Sequence, residues 1–160
     1  MVPLKEVIKL TILNPTNPLE IERARASVDQ IDLSKVHLNL TDEEDGPGWS
    51  VEKCRGVELR YRTFLVGHLL YPEISFAPDK DVDVFWHYHI LDTRAYITDC
   101  DKLFGGYFHH NPYLGMEGVE STEALMQAWE LTQALYESVG SGVFAEAAFC
   151  GMGKPAFCGM

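Results

Sequence analysis

The sequence predicts an all-α protein: a single compact domain of four to six helices, residues 1–140, followed by a short flexible tail, residues 141–160. Three observations carry that prediction. Apolar residues recur at spacings of three and four through residues 51–71 and 121–139, the period of a helix with one buried face. Capping residues and prolines stand where such helices would start and stop, and no two alternating runs joined by a tight turn read as a hairpin. With 160 residues, 46% hydrophobic and 11% aromatic, the chain can bury a core without disulfides.

Taken in order, residues 4–13 form a short apolar-polar segment of undecided type. Asn14-Pro15-Thr16-Asn17-Pro18 breaks it and starts a helix, with Asn17 as N-cap, Pro18 at the first helical position and Ala24, Val28 and Ile31 on its stripe. Asp32-Leu33-Ser34 opens a short segment that ends near Leu40. Residues 41–48, TDEEDGPG, form an acidic loop whose spacing does not match the alternating oxygen ligands of an EF-hand.

Ser50 then caps a longer helix that Pro72 ends, with Cys54, Val57, Tyr61, Phe64, Leu65 and His68 on one face. Gly56 and Gly67 weaken it relative to alanine. His68 is expected to be a hydrogen-bonded core histidine, and Arg55, Arg60 and Arg62 to be solvated or ion-paired. After a turn-rich loop at residues 111–115, Ser121 is the expected cap of a helix whose buried face runs from Leu125 to Val139, with Gly140 as its C′ residue.

Composition narrows the function classes. A net charge of −11 argues against a nucleic-acid partner and against docking on an anionic membrane. The N-terminus lacks an apolar run followed by a small-residue cleavage site, and no run approaches the length of a membrane span. A cytoplasmic location with reduced thiols is the resulting expectation.

The chemistry gathers in residues 81–110, DVDVFWHYHILDTRAYITDCDKLFGGYFHH, which hold four of the six histidines. Histidine, thiolate and carboxylate together are the donor set of a transition metal such as zinc, copper or iron. Two readings of residues 82–90 compete. In a strand, His87 and His89 share a face and could chelate one ion. In a helix capped by Asp81 they stand about 200° apart around the axis, so they cannot readily share one. The flanking acids and the restart at Asp92-Thr93 favour the helix.

In the helical reading His87 shares a face with Asp83, and His89 with Asp92. Thr93 caps a second helix lined by Tyr96, Cys100 and Leu103, and Gly105-Gly106 ends it. His109 and His110 follow on a segment that can fold back. The candidate metal ligands are therefore His87, His89, Asp92, Cys100, His109 and His110. A plain packing reading competes with this one: the aromatic residues are core, and the histidines pair with backbone carbonyls or Asp92. No nucleophile elbow or oxyanion hole marks the chain as an enzyme.

The run V-D-x-F-W-H-x-H-I-L-D-T-R-x-Y-x-x-D-C-x-x-L-F-G, continued by F-H-H-x-P-Y, resembles the glycine-rich domain-containing protein-like family of bacteria and plants. The likeness extends over roughly residues 30–140, supported by Leu33-Ser34-Lys35-Val36, Gly48-Trp49-Ser50 and Tyr61-Arg62-Thr63-Phe64-Leu65. It singles out Trp86, His87, His89, Asp92, Tyr96, Asp99, Cys100 and His110 without giving them roles. Plant members are linked to development and stress responses and carry long glycine-rich tails, which this chain lacks.

The tail repeats itself: residues 148–152, AFCGM, recur at 156–160. Cys150, Cys158, Met152 and Met160 are soft donors suited to Cu(I) or zinc, and could pass metal to or from the histidine site or a donor or acceptor protein. Alternatively the domain is a leader, and a modifying enzyme acts on Cys150 and Cys158. A third reading is an interaction module whose aromatic-histidine stretch is merely core.

Overall fold

The computed structural model describes residues 1–140 and shows an all-α domain. Its helices are α1 (Leu4–Leu13), α2 (Pro18–Asp29), α3 (Ser34–Thr41), α4 (Val51–Leu70), α5 (Lys80–Leu91), α6 (Thr93–Phe104) and α7 (Gly118–Val139). The seven helices among the described residues exceed the four to six expected. The additions are α1 and α3, short segments with too few turns to display a clear period. The tail, with Cys150 and Cys158, lies outside the described residues.

Helix α4 is the hub: α2, α3, α5 and α7 all pack on it, while α1 docks on α7 and α6 on α5. A helix so surrounded cannot keep a single apolar stripe. Cys54, Val57, Tyr61, Phe64, Leu65 and Val66 are buried, and so are Arg60, Thr63 and Gly67. The main core joins the six apolar residues of this set to Val28, Leu40, Val82, Phe85, Trp86, Tyr96, Leu135 and Val139. Ala77, Leu125, Ala128 and Trp129 form a smaller, separate cluster, with Leu114 packed against it. Among the described residues, no helix is long and apolar enough to cross a membrane.

Three helix ends match their sequence signals and four do not. Asn17 accepts from the Glu20 amide, and Ser50 from that of Lys53. Gly105 closes α6 in the left-handed conformation, φ 69°. Asp79 rather than Asp81 caps α5, accepting from the amides of Asp81 and Val82, and Asp92 rather than Thr93 caps α6. Helix α7 begins before Ser121, whose Oγ instead accepts from the Gly115 amide at 2.7 Å. Gly140 ends α7 at φ −66°, so no left-handed turn is used there.

The arginines of α4 divide by depth. Arg62 donates to Glu58 and to the carbonyls of Val28 (2.6 Å) and Ile31 (2.9 Å), tying the end of α2 to α4. Arg60 is buried against Asp79, with Nε 3.1 Å from Oδ2. The Tyr136 hydroxyl of α7 donates to the same carboxylate at 3.4 Å. Burial, then the charge of Asp79, raises the Tyr136 phenol well above its ordinary range, so it remains a donor. One carboxylate thus joins α4, α5 and α7.

The two glycines of α4 do different jobs. An added Cβ at Gly67 would overlap the buried Leu135 side chain of α7, whereas one at Gly56 would meet nothing within 4 Å. Gly56→Ala is expected to raise the unfolding free energy by up to ~1 kcal/mol through helix propensity. Gly67→Ala is expected to lower it by ~1–3 kcal/mol through overpacking. Urea unfolding of both variants checks this, and equal shifts would contradict the role of Gly67 in helix contact.

Candidate metal centre

The site begins on the face of α5 that carries both Asp83, which is buried, and His87, which is exposed. Asp83 and His87 are one turn apart, with His87 Nε2 3.7 Å from Asp83 Oδ2. His110 arrives from the segment after α6, its Nε2 2.8 Å from Asp83 Oδ1 and 3.1 Å from His87 Nε2.

Packing determines where His110 lands. Phe108 stacks on Trp86, ring centres 5.0 Å apart and planes 17° from parallel. The Tyr96 hydroxyl accepts from Trp86 Nε1 at 2.8 Å and donates to the Phe108 carbonyl at 2.6 Å. Burial raises the Tyr96 phenol, which keeps that proton in place. The returning segment is thereby pinned across α5, and the His110 ring rests 4.5 Å from that of Trp86.

Asp83, His87 and His110 form a group that could hold a metal ion. Two nitrogens bound to a tetrahedral ion at 2.0–2.1 Å lie roughly 3.3 Å apart, close to the separation seen here. A cation between the three would draw on both Nε2 atoms and the carboxylate at once. Asp83 is buried, while the His87 side chain is 48% exposed, so one side of the triangle faces solvent. That leaves room for a water or exchangeable ligand, as in three-ligand metal sites.

The other candidates lie elsewhere. His89 points inward: the Tyr61 hydroxyl donates to its Nδ1 at 2.8 Å, and its Nε2 donates to Asp99 at 3.1 Å. Burial lowers its pKa, partly offset by Asp99. Both nitrogens are used, so His89 is a satisfied core histidine. Asp92 accepts from the Ala95 amide at the start of α6. Cys100 is buried, and desolvation raises its thiol, which disfavours the thiolate. The His109 ring packs on Tyr107, 4.7 Å between centres. Of the six candidate ligands, His87 and His110 converge, and the third partner is Asp83. Its signal was legible as the carboxylate four residues before His87.

A protein-family model described as UCP032817-like matches residues 23–139. The chain belongs to that family. The matched region contains α3 to α7 and all three residues of the triangle, whereas α1 precedes it. Searches of curated proteins and of solved structures found no match.

Proposed function

We propose that this protein binds a transition-metal ion through Asp83, His87 and His110. The convergence of two imidazole Nε2 atoms on one buried carboxylate carries the reading. Imidazole with a carboxylate suits zinc or iron, and copper follows from the affinity order of nitrogen sites. The likeness to glycine-rich domain-containing proteins adds residues but no activity. The thiols of Cys150 and Cys158 would supply a second, softer donor set for exchange with a donor or acceptor protein.

Elemental analysis of protein purified without a metal-affinity tag is expected to find roughly one equivalent of zinc, iron or copper, as a three-ligand site requires. Asp83→Asn and His110→Ala are each expected to lower occupancy at least tenfold. Less than about a tenth of an equivalent, with melting unchanged on adding each metal, would sink the reading, because binding to the folded state must stabilise it. The duplicated Phe-Cys-Gly-Met unit supports a second reading, modification of Cys150 and Cys158 by a partner enzyme. An unmodified intact mass in the native host would refute it.

A further inference from the structure

Helix α1 is apolar on two sides. Ile8, Ile12 and Leu13 join the main core, while Leu4, Val7 and Leu10 are 75%, 46% and 53% exposed. With Thr11, these three follow the spacing of one face. Thr11 turns its hydroxyl back to the Val7 carbonyl at 2.9 Å, so its donor is spent within the helix. A helix apolar all round belongs between two partners, and α7 supplies one. The three exposed side chains offer on the order of 300 Å², short of the ~800 Å² that each partner of a stable complex buries. A separate copy gains too little there, whereas a segment of the same chain meets the face at millimolar effective concentration.

The chain supplies such a segment. Residues 141–149, SGVFAEAAF, hold Val143, Phe144 and Phe149 with a single charge, Glu146. They follow α7 at the end where α1 docks. Ile8, Ile12 and Leu13 share the main core with Leu135, Tyr136 and Val139, and not the separate cluster of Leu125 and Trp129. Nine residues reach up to ~30 Å, against a length of ~15 Å for α1. Both segments lie outside the region that matches the family.

We infer that residues 141–149 dock on the Leu4, Val7 and Leu10 face of α1, with Phe144 as the anchor. The contact holds Cys150 beside α1 and leaves the second Phe-Cys-Gly-Met unit beyond it. The inference goes beyond metal binding and does not rest on it.

The test uses chelator-treated full-length protein, so a failure to bind metal leaves it unaffected. It carries Cys158→Ser and a nitroxide on Cys150, while Cys54 and Cys100 are buried and resist labelling. Paramagnetic broadening of backbone amide NMR signals is read along α1. The α1 amides are expected to relax at least about threefold faster than after Val7→Asp or Phe144→Asp, since either change puts a charge into the apolar contact. Val7 is exposed, so its substitution spares the core, and Phe144→Asp, beyond α7, reports even if Val7→Asp does not fold. No broadening along α1, or broadening that survives either substitution in a folded protein, would overturn the inference. So would broadening passed from a nitroxide-bearing copy to an isotope-labelled copy without nitroxide, the signature of a second molecule on that face.

Discussion

Asp79→Ala is expected to lower the unfolding free energy by about 3–5 kcal/mol, the cost of leaving a buried charge without its partner. Arg60 and Asp79 are 9% and 4% exposed, so water cannot replace the lost carboxylate. The same change removes the acceptor for the Asp81 and Val82 amides at the start of α5 and for the Tyr136 hydroxyl. Losing an N-cap alone costs about 1 kcal/mol. Against a typical total of 5–15 kcal/mol, the loss threatens folding near body temperature. Asp79→Asn should cost less, since its amide oxygen still caps the helix while Arg60 stays unneutralised. Arg60→Met combined with Asp79→Asn should recover much of the loss, because the uncompensated charge has gone. Urea unfolding of the three variants measures this. A loss below about 1 kcal/mol for Asp79→Ala would show that the pair is more hydrated than its burial implies.

The role of Asp79 was hidden because two aspartates two residues apart read equally well as the cap of α5, and helix ends are ambiguous on that scale. Local signals served at some helix ends and missed at others, since Thr93, Ser121 and Gly140 do not cap as they read. Asn17-Pro18, Ser50 and Gly105-Gly106 end or begin helices where their side chains and backbone preferences dictate. The helical reading of residues 82–90 also holds, and it correctly separates His87 from His89. What periodicity could not supply was the partner from elsewhere in the chain. His89 faces inward because Tyr61 and Asp99 satisfy both of its nitrogens, and those residues come from α4 and α6. His110 reaches α5 only because Phe108 stacks on Trp86, a contact spanning more than twenty residues. Gly67 was read as a weakness of α4, although its missing side chain is what lets Leu135 approach. His68 was expected to be hydrogen-bonded, yet three rings from different parts of the chain surround it and none accepts a conventional hydrogen bond.

That aromatic enclosure makes His68 a strong source of acid sensitivity. Burial lowers its pKa from 6.5 to about 4. Above the ordinary value neither the folded nor the unfolded chain holds the proton, and stability is undiminished. Between the two values the unfolded chain takes up a proton that the folded chain refuses, so stability falls by about 1.4 kcal/mol per pH unit. Below the folded value both forms are charged and the loss is complete, roughly 3 kcal/mol in all. His89 is displaced in the same direction by burial and adds to the slope, with Asp99 limiting its share. His68→Leu, close to volume-conserving, should stay within about 1.5 kcal/mol of the wild type at neutral pH. On acidification the wild type should lose about 3 kcal/mol more than the variant, leaving the slope owed to His89 and the carboxylates. Urea unfolding at several pH values between neutrality and the folded pKa of His68 measures the difference. Parallel profiles would mean that His68 takes up its proton in the folded protein as readily as in water, which would require a route for solvent to its ring.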